Sequence, residues 1–217
     1  MPAMLDDATE NLYAAFSNES KPRRVEACEC CITERERDEL INTPLRELTP
    51  QQLSNYASMV FLTAGAEEDF RYFIPRILDL SIHGEFDWPD HEVVCKRLAD
   101  GNWLAWPVPL RVSIMDLFAI AWEQVIASGD GWDVDELLCG FALTGMDIQP
   151  FLARLEAEDA GRALIGLYER NAQSLIKGRL SNAFWDKCEI AGEPIIVWFA
   201  SEKTAGLISR QYGMTQD

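Results

Sequence analysis

Basic residues are scarce in this chain: 19 Lys and Arg stand against 36 Asp and Glu in 217 residues, a formal charge of −17. Proteins that grip phosphates need the opposite sign. The balance therefore argues against nucleic acid and against an anionic membrane surface as partners. Histidine is limited to His83 and His91, which frame the turn-rich Gly84–Asp90 segment. With no G-x-S-x-G elbow in the sequence, both are read as loop or capping residues rather than as acid–base groups. Glycines are single and dispersed, so no phosphate-cradling loop is expected. No long hydrophobic run exists. The most apolar stretch, Val112–Ile126, is interrupted by Asp116 and Glu123 and is too short to span a bilayer. Met1–Glu10 carries Asp6, Asp7 and Glu10 and no basic residue, so no secretory signal is read there. A cytoplasmic protein with reduced thiols is the expectation.

What is present is apolar residues at helical spacing, in a composition of 48% apolar and 25% charged residues that suits a packed globular chain. The fold class expected is all-α, built of stacked antiparallel helix pairs of the HEAT-like or α-α superhelical kind. Helices are expected at about 4–17, 34–41, 50–63, 67–82, 89–99, 108–128, 133–144, 148–157, 159–177, 180–187, 190–200 and 201–211. Thr49-Pro50-Gln51-Gln52 and Asp133-Val134-Asp135-Glu136 read as capping boxes, and Thr43-Pro44 as the start of a short turn. Gly65, Gly84, Gly101, Gly129 and Gly145 sit where helices end. Pro75 should kink or split its helix. Residues 1–217 are read as a single helical domain, with 17–32 a mobile cysteine-containing loop or arm.

An internal echo supports stacking. Asp69-Phe-Arg-Tyr-Phe73-Ile-Pro-Arg76-Ile matches Asp147-Ile-Gln-Pro-Phe151-Leu-Ala-Arg154-Leu at an offset of 78 residues, and Phe61–Gly65 resembles Phe141–Gly145 upstream. Helix pairs of about 40 residues bury their apolar faces only by stacking. Phe73 and Phe151 should then both be buried.

Four constellations are candidates for chemistry or binding. Cys28-Glu29-Cys30-Cys31 has the spacing of half a zinc site, but no second Cys-x-x-Cys completes it. The three are taken as structural or incidental thiols, with a metal site completed by distant ligands and a redox role as alternatives. Cys95, Cys139 and Cys188 lie singly in apolar contexts and are read as small hydrophobes. Glu67-Glu68-Asp69 falls at a helix start, where acids favour the helix dipole. Trp88, Trp103, Trp106, Trp122 and Trp132 are read as core. From Val112 to Ala153 there are seven acids and no Lys or Arg, four of them crowded at Asp130, Asp133, Asp135 and Glu136. Such a run is usually a solvated face. It also matches a basic cleft on a partner. Asp130, Trp132, Asp133, Asp135 and Glu136 are the expected edge of a binding surface.

The segment Thr43-Pro-Leu-Arg-Glu-Leu-Thr-Pro50, then Leu53, Tyr56 and Phe61, then Glu68-Asp-Phe-Arg-Tyr-Phe-Ile-Pro-Arg-Ile-Leu-Asp-Leu80, resembles a family of uncharacterised acidic helical bacterial proteins. Their pattern includes a cysteine pair upstream and a later Trp-Pro helix start, matched here by Trp106-Pro107. The resemblance covers most of residues 28–125 and carries no catalytic residue. Small acidic bacterial proteins include immunity proteins paired with secreted toxins, by analogy of size and charge. The expected function is accordingly a non-catalytic protein-binding module, an immunity-type inhibitor that occludes the basic active site of a toxin. No cofactor and no metal is expected. A zinc-binding or metal-dependent protein using the Cys28–Cys31 cluster with His83 or His91 is the alternative, and a general helical scaffold a third.

Overall fold

Reciprocal caps start two of the early helices. Thr33 accepts the Glu36 amide while Glu36 takes the Thr33 amide, opening a helix at Glu34–Asn42; Thr49 and Gln52 do the same for Pro50–Met59. In the computed structural model, residues 2–187 and 192–213 are described. Cys188 and the expected helix start at 190 lie outside them. Among the described residues there are eleven α-helices: α1 Pro2–Ala15, α2 Glu34–Asn42, α3 Pro50–Met59, α4 Glu67–Ile82, α5 His91–Asp100, α6 Val108–Ser128, α7 Gly131–Leu143, α8 Gln149–Leu155, α9 Gly161–Leu175, α10 Gly192–Ala200 and α11 Glu202–Gln211. Their only strand-like pairings are two isolated bridges, Ala27 with Ala64 and Val60 with Ala64. The fold is all-α. No described helix is long and apolar enough to cross a membrane.

The chain divides into two compact units, residues 1–120 and 121–217. In the first, α1 packs on α4, α2 on α3, and α3 on α4 and α5. Leu5, Ala8, Leu12 and Phe16 supply one buried stripe; Phe70, Phe73, Ile74, Ile77 and Leu78 supply another. Aromatic edges lock them: Trp106 lies 6.2 Å from Phe16 and 6.0 Å from Phe70, and Tyr56 lies 4.9 Å from Phe73. In the second unit, α9 packs on α7, α8 and α11, and α10 on α11. Trp122, Phe141 and Phe151 form an aromatic triangle, the last two rings 4.8 Å apart.

Several local expectations are corrected. Helix α4 is not split at Pro75 but continues through it, with Pro75 buried beside Ile74 and Ile77. Burial of that face outweighs the one missing backbone bond. Helix α3 stops at Met59 because Phe61 adopts φ 65 and donates its amide to the Ala64 carbonyl. Gly101 does cap α5 as expected, but at φ −79; the left-handed residue is Asn102, at φ 51. Residues 183–187 are a 3-10 turn rather than part of an α-helix. The capping box at Asp133 does not form. Asp130 caps α7 instead, accepting the amides of Trp132 and Asp133, so the helix begins two residues early.

The echo survives in burial and not in detail. Phe73 is fully buried and Phe151 nearly so, at 9% exposure. Yet Asp69 lies inside α4, accepting the Ala66 amide, whereas Asp147 precedes α8 and accepts the Gln149 amide. Helix α4 has 16 residues and α8 only 7. Arg76 reaches the Leu48 carbonyl and Asp79, while Arg154 bridges Glu123 and Asp159.

Candidate functional site

The start of α7 holds the residues that the acidic run singled out, and the structure divides them. Asp130 is exposed, and its carboxylate is occupied as the helix cap, 2.8 Å from the Trp132 amide. Asp133 is exposed one residue further on. Partial desolvation there, and then the Asp130 carboxylate, push its pKa up from the ordinary Asp value. Asp135 points the other way. It is 2% exposed, and its Oδ1 accepts from Asn171 Nδ2 at 3.0 Å and from Trp185 Nε1 at 3.3 Å. It belongs to the core of the second unit and not to a surface edge. Glu136 is half-buried. The sequence does hold the signal for Asp135: it lies three and four residues before buried Leu138 and Cys139.

Trp132 is the outstanding surface residue of this region. It is 66% exposed, and the Arg170 guanidinium stacks on its ring at 3.4 Å. Asp130, Trp132, Asp133, Arg162, Glu169 and Arg170 line a groove of about 700 Å³ in the second unit. The run without a Lys or Arg in sequence thus meets two arginines in space. Its rim is of mixed charge around the stacked indole. Of the five tryptophans read as core, Trp103, Trp106 and Trp122 are buried, while Trp88 and Trp132 are exposed.

The three neighbouring cysteines do come together. Their sulfurs all lie within 4.8 Å of one another, with Cys28 and Cys30 exposed and Cys31 half-buried. Cys28 Sγ is 2.7 Å from Cys30 Sγ, which is 3.8 Å from Cys31 Sγ. The hydrogen bond from Cys30 lowers the Cys28 pKa. The same contact, seconded by Cys31, raises that of Cys30 to about 11. The segment carrying them is irregular in structure but tied down. The Cys28 amide donates to the Thr63 carbonyl at 2.9 Å, the Gly65 amide donates to the Glu26 carbonyl at 2.7 Å, and Pro22, Val25 and Ile32 are buried. Cys95 and Cys139 are buried, as small hydrophobes are.

Neither histidine belongs to the Cys28–Cys31 group. His91 is inside the first unit's core, not in a loop, with Nδ1 2.9 Å from Ser81 Oγ and Nε2 3.2 Å from Cys95 Sγ. Burial pushes its pKa down to about 4. His83 ends α4, its Nδ1 2.8 Å from the Asp79 carbonyl. Glu67, Glu68 and Asp69 form the first turn of α4, Glu67 pairing with Arg71 at 2.9 Å.

Two features escaped the sequence reading. Asp79 gathers the Tyr13 hydroxyl at 2.8 Å and Arg76 Nη1 at 2.7 Å, beside a groove lined by Asp6, Thr9, Glu10, Arg46 and His83. Its members come from α1, α4 and the turn between α2 and α3, so no local pattern announces it. Helix α6 also leaves Val108, Val112 and Met115 exposed, an i, i+4, i+7 stripe that spacing does announce.

No family model, no curated protein and no solved structure matches this chain.

Proposed function

We propose that this chain is a non-catalytic protein-binding module, an immunity-type inhibitor that docks on the basic active site of a bacterial toxin acting on nucleic acid or nucleotides. The observation that carries the reading is Trp132, two-thirds exposed yet held by the stacked Arg170. A tryptophan with restricted rotamers anchors a partner at little cost in entropy, and such residues dominate binding energy. Asp133 and Glu169 on the same groove offer acceptors to a basic surface. The overall charge of −17 adds long-range steering toward one. Asp135 has no part in this surface, and Asp130 contributes chiefly by fixing the helix start that presents Trp132.

The test is co-purification with the product of a neighbouring open reading frame, followed by kinetics. Trp132→Ala is expected to weaken the complex by about 2 kcal/mol or more, roughly thirtyfold, mainly through faster dissociation. Asp133→Lys is expected to slow association at low salt and to leave it unchanged at high salt. Asp130 is a poor choice for reversal, because losing the cap costs about 1 kcal/mol of stability by itself. A complex indifferent to Trp132→Ala would move the binding surface elsewhere, and failure to bind any neighbouring product would remove the immunity reading.

A further inference from the structure

Exposed thiols are unusual in a chain whose other described cysteines are buried. Three thiols share one turn: Cys28 and Cys30 face solvent, and Cys31 is half-covered. We propose that the Cys28–Cys31 turn is a three-thiolate binding site for a soft monovalent metal ion, Cu(I). This stands apart from the docking surface at Trp132, which lies in the other unit.

Ligand number and softness select the ion. Thiolates favour soft or borderline metals, Cu(I) and Zn(II) foremost. A closed structural zinc site takes four ligands. Among the described residues, the group that gathers here consists of Cys28, Cys30 and Cys31, with no histidine or carboxylate in it. Three sulfurs in one patch suit an ion content with three. Spacing agrees: an ion about 2.3 Å from each of two sulfurs holds them just under ~4 Å apart, and Cys30 and Cys31 are 3.8 Å apart. Cys28 sits closer, 2.7 Å from Cys30, and rotation of its exposed side chain supplies the difference.

The turn is also built in advance. Both the Cys31 and the Ile32 amides donate to the Cys28 carbonyl, at 2.9 and 3.0 Å. Upstream, the Cys28 amide is fixed to Thr63, and Ala27 bridges Ala64. Downstream, Ile32 is buried and the Thr33–Glu36 capping box begins α2. Much of the ordering that a flexible Cys-x-Cys-Cys peptide would undergo on binding is therefore already present, which favours affinity. Without a cation, three thiolates so close together would repel one another. A cation removes that repulsion. On binding, each ligating thiol releases its proton to solvent, no electron is transferred, and the Cu(I) centre with three thiolates carries a net charge of −2.

The experiment uses the full chain without a histidine tag, reduced and kept anaerobic. Cu(I) is titrated in the presence of a chromophoric Cu(I) chelator that competes for it. The expected result is one Cu(I) per chain, with an X-ray absorption spectrum showing sulfur neighbours only. The triple variant Cys28→Ser/Cys30→Ser/Cys31→Ser is expected to lose at least about a hundredfold in affinity, more than loss of an outer-shell contact costs, with its circular dichroism unchanged. Cys30→Ser alone, at an exposed position, is expected to weaken binding in the same direction and serves if the triple variant does not fold. Undiminished Cu(I) binding by these variants would overturn the proposal. So would one Zn(II) per chain that Cu(I) does not displace, or absence of bound Cu(I) with ready formation of a disulfide among the three cysteines.

Discussion

Asp135 offers the sharpest contrast between a sequence reading and a folded one, and substituting it separates the two. Its Oδ1 accepts from Trp185 Nε1 and Asn171 Nδ2, and those residues are 4% and 0% exposed. In Asp135→Ala the indole N–H is left buried without its acceptor, at a cost of about 1–3 kcal/mol. Asn171 Nδ2 keeps its bond to the Leu167 carbonyl but loses the one to Asp135, adding roughly 1 kcal/mol. The sum is about 2–4 kcal/mol, a large share of the stability of an ordinary domain. Asp135→Asn retains an acceptor oxygen and should cost about 1 kcal/mol or less. Asp133→Ala, two residues away and exposed, should change stability by no more than about 0.5 kcal/mol. The assay is urea denaturation of all three variants, followed by far-ultraviolet circular dichroism on the transition that includes residues 121–217. If Asp135→Ala were as stable as Asp133→Ala, the hydrogen-bond argument would fail and Asp135 would return to the list of surface acids.

Two further outcomes concern the cores. Burial holds the His91 pKa near 4, below its ordinary 6.5. As pH falls through 6.5 the unfolded chain takes up the proton first, so stability is complete above that pH and declines toward pH 4, by roughly 3 kcal/mol at most. His91→Gln should flatten this acid limb when denaturation midpoints at pH 7 and 4.5 are compared; an equally steep limb in the variant would assign the effect to other groups. Phe73→Ala and Phe151→Ala should each cost on the order of 3–5 kcal/mol, the first removing the edge contact to Tyr56 and the second opening the Trp122–Phe141–Phe151 triangle; a loss below about 1 kcal/mol at either site would contradict its burial.

What was legible in the sequence was what is local. Thr49 and Gln52 are three residues apart, so their reciprocal cap follows from spacing alone. The same rule misled at Asp133, because Asp130 competes for the role and lies directly after Gly129, whose φ of 69 ends the preceding helix. The acidic run meets cations in space for a different reason. Arg162 and Arg170 enter its groove from α9, and only the crossing of α7 on α9 brings them there. The cysteine turn depended likewise on Thr63 and Gly65, more than 30 residues downstream, which convert an irregular segment into a fixed one. A charge, a cap or a stripe is local in the chain; the distant backbone that holds it is not.

The presentation of Trp132 rests on two glycines, and this can be tested by sign rather than size. A Cβ on Gly131 would lie 2.1 Å from the Gly166 carbonyl oxygen; one on Gly166 would lie 2.8 Å from the Gly129 carbonyl oxygen and 3.0 Å from the Gly131 nitrogen. The first turn of α7 therefore rests directly on the backbone of α9. Arg170 is one helical turn beyond Gly166 on the same face, so the residue after Gly131 lands on its guanidinium, as the 3.4 Å stack records. Gly166 is inside α9, where Ala is ordinarily favoured over Gly by about 1 kcal/mol. Here Gly166→Ala should do the opposite. Its neighbours are backbone atoms with no rotamer to yield, so α7 and α9 must separate, at a cost of about 1–3 kcal/mol typical of overpacking. The stack of Arg170 on Trp132 should loosen with them, changing the near-ultraviolet circular dichroism of the indole. Thermal denaturation of Gly166→Ala decides the matter: a variant more stable than the parent, with its near-ultraviolet spectrum intact, would mean that α7 does not sit against α9 in this way and that Trp132 is not held as an anchor.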